Sequence, residues 1–296
     1  QEPAQSFVLR LYRRIEEAGA DLPSPYRLRG IGIGAPNAHH DRGTIEKAVN
    51  LNWGPAVDFV RLIQKYYDLP VFIANDANAA ALGEMLFGNA RSMKHFLVVT
   101  LGTGLGSGIV TGGRLLTGAS GFAGELGHTV VDPNGRECGC GKRGCLETYV
   151  SAAGLKRTAL EVLAARCDPS PLRGVSFADM TAKQIANLAL AGDVVSREAF
   201  ERTARILGMK LADAVAHTGP EAIFLAGGLA GAGDLLFKPT ERYLNEFLFR
   251  VYRGTVRLLP SGLAAGAGAI LGAAALIWSE PAIINTPGPP PRRESL

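Results

Sequence analysis

Cysteine is scarce in this chain, with four in 296 residues. That number does not suit a small secreted scaffold stapled by many bridges, and a reducing cytoplasm is the natural compartment for it. Charge of one sign is also lacking. The formal net charge is +4, and the Lys and Arg residues are scattered, so the basic footprint of a nucleic-acid binder is missing. Long apolar runs are absent too. The longest, Leu263 to Trp278, is rich in Ala and Gly and short for a bilayer span, which makes a buried helix the better reading. The first residues lack the basic-then-apolar pattern of a secretory signal. What remains is a globular composition, long enough for two ordinary domains, with no internal repeat obvious in the sequence.

What is present is concentrated. Three of the four cysteines fall between Glu125 and Glu147, beside a histidine. His128, Cys138, Cys140 and Cys145 make a Cys₃His set, the donor chemistry of a closed tetrahedral zinc site. Gly139, Gly141 and Gly144 allow the tight turns that bring three thiolates to one ion. The competing readings are a disulfide or three incidental buried thiols. Cys138 and Cys140 are too close to pair comfortably, and an odd set leaves one thiol over. Cys167, ahead of Asp168-Pro169, reads as an inert thiol. Glu125 and Glu147 flank the ligands, so whatever the metal orders also orders two carboxylates, an arrangement suited to binding a polyol.

The remaining signals lie on alternating strands and helices. Residues 3 to 18 carry Phe7, Val8, Leu11, Tyr12 and Ile15 at helical spacing, with Gly19 as a stop. A strand over 28 to 33 ends in Gly34-Ala35-Pro36-Asn37, a sharp turn of the kind that borders ligands in open α/β sheets. His39 and His40 have no spaced partner and read as solvated loop residues. Gly54-Pro55 opens a helix through Tyr67, with proline in the tolerant first turn. A strand over 70 to 74 delivers Asn75-Asp76 to the start of an Ala-rich helix, where either residue could simply be an N-cap. A strand over 95 to 100 runs into Gly102-Thr103-Gly104-Leu105-Gly106-Ser107-Gly108, a hairpin whose amides can approach phosphate without Cβ obstruction. Helices follow over 152 to 166, 181 to 191 and 194 to 217. The strand over 222 to 226 ends in Gly227-Gly228, which close strand-to-helix packing would also require. A helix from about Gly233, a strand over 256 to 259 and the helix over 263 to 278 complete the pattern.

Glu125-Leu-Gly-His128 followed by Cys138-Gly-Cys140-Gly-Lys-Arg-Gly-Cys145-Leu-Glu147 resembles the signature of the ROK family of repressors, open reading frames and sugar kinases. The resemblance runs from about Gly30 to Trp278. It implies an actin/hexokinase-like (ribonuclease H-like) α/β fold of two lobes with a cleft between them. Residues 1–96 plus 262–280 would form one lobe, 97–261 the other, and 281–296 a flexible tail. Asn50-Leu51-Asn52-Trp53 is similar to the family's Asn-Leu-Pro-Trp segment, with Trp53 expected at the lip of the cleft. The resemblance further implies ATP-dependent phosphorylation of the 6-hydroxyl of glucose, with Asp76 as general base. Gly34, Asn75, Asp76, Glu125, His128 and Glu147 would hold the sugar. Gly102, Thr103, Gly104, Gly227 and Gly228 would hold ATP with its magnesium, and structural zinc would sit on His128, Cys138, Cys140 and Cys145. One imidazole nitrogen would face zinc and the other the sugar.

Fructose, mannose, allose and N-acetylmannosamine are alternative substrates within the family. A sugar-responsive repressor or a catalytically inactive sugar-binding protein is the alternative function. Homodimers or homotetramers are usual in the family. Its kinases open with a strand and an Asp-x-Gly-Gly-Thr turn that cradles phosphate, and this sequence has no such turn. The expectation is therefore a piece of a longer protein, to which kinase activity belongs.

Overall fold

The computed structural model describes residues 2–23, 25–47, 51–264 and 267–279. Asn50 and the segment 281–296 lie outside them. The chain opens with α1 (Ala4–Ala20), whose Phe7, Val8, Leu11, Tyr12 and Ile15 face a small-lobe core with Phe59, Ile63 and Tyr67. Gly19 does not stop this helix. It lies inside it, and its missing side chain makes room for the Tyr26 hydroxyl.

The strands β1 (Ile31–Gly34) and β5 (Val71–Ala74) pair in parallel, with Ile31 opposite Val71. Between them, β2 (Ala38–His39), β3 (Thr44–Glu46) and β4 (Ala56–Asp58) form a small antiparallel sheet. The expected helix over 54 to 67 is shorter: α2 is Phe59–Gln64. Residues 56–58 are drawn into pairing with β3, and Asp58 then caps the helix by accepting from the Arg61 amide. Asn75 caps α3 (Asp76–Phe87) in the same way, through the Ala77 amide.

The second lobe is built on one sheet in the order β10-β9-β6-β7-β8. The members β6 (Phe96–Leu101), β7 (Leu105–Thr111) and β8 (Arg114–Leu115) form an antiparallel meander. On its other side β6 pairs in parallel with β9 (Ala222–Ala226), which pairs in parallel with β10 (Arg257–Pro260). Both β6 and β9 are nearly continuous apolar runs, as strands buried on both faces must be. One face carries α4 (Ala152–Ala165), α5 (Ala182–Leu190), α6 (Val194–Thr218) and α7 (Asp234–Phe247). In α6 the residues Ala199, Phe200, Thr203, Ala204, Leu207, Leu211 and Val215 recur at helical spacing and are buried. Asp193 caps its start and Gly219, in the left-handed region, ends it. Complete burial of Phe200 contributes on the order of 2 kcal/mol.

The last helix, α8 (Ala267–Ser279), returns to the first lobe and packs on α3 and β1. A side chain on Gly83 of α3 would collide with the Gly272 backbone of α8, and one on Gly272 with the Ala79 carbonyl. This close crossing exposes a structural repeat that the sequence does not display. The succession β1, α2, β5, α3 matches β9, α7, β10, α8, each a parallel strand pair with a helix after each strand.

Candidate active site

The parallel pairs β1–β5 and β9–β10 both end at one cleft of about 1410 Å³. Pro36 and Asn37 follow β1, Asn75 and Asp76 follow β5, Gly227 and Gly228 follow β9, and Ser261 follows β10; all of these line the cleft. Thr100, the turn 102–106, Glu125, His128, Gly139, Cys140 and Glu147 complete its wall. Of the residues expected at the site, Gly34 is not in this lining. It is exposed at the end of β1, beside Asp76 and Ala79. Cys138 and Cys145 are buried behind the wall.

The glycine-rich hairpin divides into two jobs. Gly102 is open to the cleft, and its amide donates to the Gly104 carbonyl at 3.0 Å, closing the turn. Gly106 and Gly108 serve packing instead: a Cβ there would lie 2.8 Å from the Ala77 Cβ and 2.7 Å from the Ala77 carbonyl oxygen. Their bareness lets α3 lie directly on β7, which brings Asp76 beside the 102–104 turn. The other glycine pair divides similarly. Gly227 has φ +89 and packs against the Leu101 backbone, whereas Gly228 has open space around its Cα.

Asp76 and Asn75 combine capping with the site. The Ala77 amide is shared between Asn75 Oδ1 at 2.9 Å and Asp76 Oδ1 at 2.8 Å. Across the cleft, Glu125 precedes a single 3-10 turn, Leu126–His128. Burial pushes the Glu125 carboxyl above its ordinary value; the neighbouring His128 opposes this, while the charges of Asp76 and Glu147 add to it. Glu125 therefore faces two further acids in this space. Ser107, read from sequence as part of a phosphate turn, is buried. Its hydroxyl donates to the Gly124 carbonyl and accepts from the Leu126 amide at 3.2 Å, fixing the backbone on both sides of Glu125.

The donor atoms of His128, Cys138, Cys140 and Cys145 all lie within 4.8 Å of one another. Cys140 and Cys145 have their sulfurs 3.6 Å apart, and Cys138 Sγ is 3.6 Å from His128 Nδ1. A tetrahedral zinc with ordinary bond lengths spaces two thiolates by about 3.8 Å and a thiolate and imidazole by about 3.6 Å, so the set fits that ion. The imidazole is oriented for it: Nδ1 faces the thiols, and Nε2 faces Glu125 Oε2 at 4.0 Å. Burial pushes the Cys138 and Cys145 thiols up, while at Cys140 the Lys142 amide, the neighbouring thiols and the Lys142 charge outweigh burial and lower it. A bound cation favours the thiolate at all three.

Sequence reasoning missed what holds this loop. Arg136 lies beneath it, donating to the Thr148 and Gly154 carbonyls at 2.6 and 3.1 Å, to Thr158 Oγ1 at 2.9 Å and to both oxygens of Glu161. Its guanidinium also covers the Tyr149 ring at 4.4 Å. The planar fork of arginine suits such a set of acceptors, but one Arg in a charged loop gives no signal of it in the sequence.

Two other expectations are corrected. His39 is buried rather than solvated: its ring stands edge-on to Phe122, and its Nδ1 accepts from the Arg42 amide at 3.3 Å. His40 is half-buried, bonded through Nδ1 to the Ile73 carbonyl at 3.0 Å and stacked on Phe72. His40 is enclosed where the β2–β3 hairpin lies on β5, and His39 where Gly121 and Phe122 cover its ring. Trp53 does not line the cleft. It packs on Phe7 and Phe59, and its indole donates to the Glu2 carbonyl at 3.1 Å. Cys167 is exposed.

Comparison with known proteins agrees with this geometry. The sequence profile of the ROK family matches residues 2–280. A glucokinase of Halalkalibacterium halodurans is 40% identical over 225 residues, covering 74% of this chain and 67% of that protein. The xylose repressor of Bacillus subtilis is 32% identical over 247 residues, covering 83% of this chain and 60% of the repressor. Among solved structures, a ROK family glucokinase from Streptomyces griseus, in complex with glucose and AMPPNP, superposes with a TM-score of 0.76 at 34% identity, covering 90% of this chain and 86% of that one. A ROK family transcriptional regulator, a homologue of the E. coli MLC protein, gives 0.80 at 31% identity, with 93% and 70% covered. Fold, site layout and sequence together lead to one conclusion: the chain belongs to the ROK family, on the actin/hexokinase-like α/β fold.

Proposed function

We propose that this cleft phosphorylates a hexose at its 6-hydroxyl using Mg-ATP, with glucose as the favoured substrate. The observation that carries the reading is the convergence of Asp76, the bare 102–104 turn and the acids Glu125 and Glu147 in one cleft, which is larger than a single small ligand ordinarily needs. Residues 1–96 and 262–280 would close on 97–261 around the two substrates. The glucokinase relatives, and the glucose and AMPPNP bound in the Streptomyces griseus structure, support it.

In this reading the sugar lies at the Glu125, His128 and Glu147 end. The 6-oxygen forms a bond to the γ-phosphorus as the bond from that phosphorus to the ADP oxygen breaks. ADP leaves with the electron pair, and the proton passes to the Asp76 carboxylate. Positioning supplies most of the acceleration in such a loose transfer, and the base accepts the proton late. The Asn75 amide, His128 Nε2 and the two glutamates would hold the other hydroxyls. Zinc on His128, Cys138, Cys140 and Cys145 would supply a fixed positive centre that orders the loop and the imidazole. The Gly102-Thr103-Gly104 turn would face the phosphates, with Gly227 and Gly228 beside the adenosine. A cytoplasmic, homo-oligomeric protein is the setting this activity implies.

The repressor relatives favour a second reading, a sugar-responsive regulator that keeps the sugar end of the cleft without turnover. The test is ADP release from Mg-ATP by the chain, with glucose, mannose, fructose, allose, N-acetylmannosamine or no sugar. Release that depends on glucose above the others supports the kinase. Tight sugar binding with no release under any condition supports the regulator or an inactive sugar-binding protein.

A further inference from the structure

One buried acid takes no part in the chemistry above. Glu84 is fully buried, near the end of α3, a helix otherwise made of small and apolar residues after its first turn. Its Oε1 accepts from the Asn89 amide at 2.7 Å and from the Gly262 amide at 2.9 Å, and its Oε2 accepts from Ser261 Oγ at 2.7 Å. The donors come from two places: the turn that ends α3, and the segment between β10 and α8. Ser261 is itself tied to β9, its amide donating to the Leu225 carbonyl at 3.0 Å. A side chain on Gly262 would come within 2.7 Å of the Asn89 backbone nitrogen, so the two segments touch backbone to backbone. Pro260, Ser261, Leu263 and Ala264 then form the cleft wall near Gly228.

Burying a carboxylate is costly, and an apolar residue would fill the same space more cheaply if packing were its only role. The carboxylate matches three donors that no apolar side chain could satisfy. We infer that Glu84 is a positioning residue that fastens the wall of the nucleotide end of the cleft to the helix carrying Asp76. Eight residues of one helix separate the two acids, about 12 Å along its axis, so α3 acts as a strut that sets the base relative to the nucleotide. This rests on the kinase reading of the cleft.

The test is calorimetric titration of the whole zinc-loaded chain with a non-hydrolysable ATP analogue and, separately, with glucose. Glu84→Asp keeps the acid but withdraws it by one methylene from donors that stay buried, and should weaken the analogue about tenfold while glucose affinity stays within about twofold. Glu84→Gln keeps the reach, since Ser261 Oγ can turn to accept, and should recover to within about threefold of the unaltered chain. Analogue affinity unchanged in Glu84→Asp, or equal losses for both ligands, overturns the inference. An unaltered chain that binds glucose but no analogue overturns the kinase reading itself and the inference with it. Should Glu84→Asp fail to fold, hydrogen exchange in the unaltered chain decides. The Asn89 and Gly262 amides should slow with the analogue and not with glucose; an equal response to both contradicts the inference.

Discussion

The two lobes share a scaffold and differ in what they place at its ends. In each, a parallel strand pair delivers its carboxyl ends to the cleft, where open α/β sheets put ligands. The small-lobe unit ends in Asn37, Asn75 and Asp76, polar groups able to hold hydroxyls and accept a proton. The large-lobe unit ends in Gly227, Gly228, Pro260 and Ser261, which shape space and whose one hydroxyl is taken up by Glu84. The large lobe also pairs β9 with a three-stranded meander whose turn faces the same cleft, whereas the main sheet of the small lobe has β1 and β5 alone among the described residues. The fold thus fixes where the cleft lies, and a few end residues decide whether a strand end offers reactive groups or shapes space.

That division can be broken from either side, and the largest effect belongs to the small lobe. Replacing Asp76 by Asn should leave glucose binding largely intact and lower turnover by about 10²–10⁴-fold, the usual range for a general base; steady-state rates alongside calorimetry check it. From the large lobe, Cys140→Ser or removal of the metal by a chelator should lower zinc content and weaken glucose together, by about 10–100-fold. Unchanged glucose affinity in metal-free protein would separate the loop from the sugar site. Arg136→Ala should cost about 2 kcal/mol of stability, because the carbonyls it serves are left without their donor. It should loosen the 128–145 loop while leaving the Asp76 end unaffected, as thermal melting and zinc retention would report.

Smaller effects lie at the sheet margins. Asn37 and Lys47 are the two non-glycine residues at positive φ among those described, and Asn37 Nδ2 donates to the Lys47 carbonyl at 3.2 Å. Asn37→Gly relieves its backbone but loses that bond, so stability should rise by no more than about 1 kcal/mol. Glu221 accepts from the Lys94 and His95 amides at 2.8 and 3.0 Å, which hold its carboxyl below the ordinary value. A lowered folded value contributes stability above the unfolded value, about 4.3, and loses it as pH falls through the folded one. Glu221→Gln should therefore melt slightly below the unaltered chain at neutral pH, with the gap closing in acid.

Much of the site was legible because its residues sit in short contiguous segments. The Cys₃His set, Asn75-Asp76 and the 102–104 turn each lie within a few residues of sequence, so local spacing shows them. The strands β6 and β9 are legible for a similar reason, since burial on both faces leaves continuous apolar runs. The rest depends on distant pairing. The residues 56–58 look helical until β3 pairs with them, and His39 looks solvated until Gly121 and Phe122 cover it. Ser107, Arg136 and Glu84 act through carbonyls, amides and hydroxyls brought close only by the fold. The structural repeat is hidden because it conserves topology, not side chains.

The central claim is that the end residues of the two lobes act together on one sugar hydroxyl. The most direct measurement is ³¹P and ¹³C NMR of glucose and Mg-ATP incubated with the zinc-loaded chain. The account predicts ADP and glucose carrying phosphate on its 6-oxygen, formed by the unaltered chain and not by Asp76→Asn. Glucose bound with ATP left intact, or phosphate appearing on another oxygen, would contradict it.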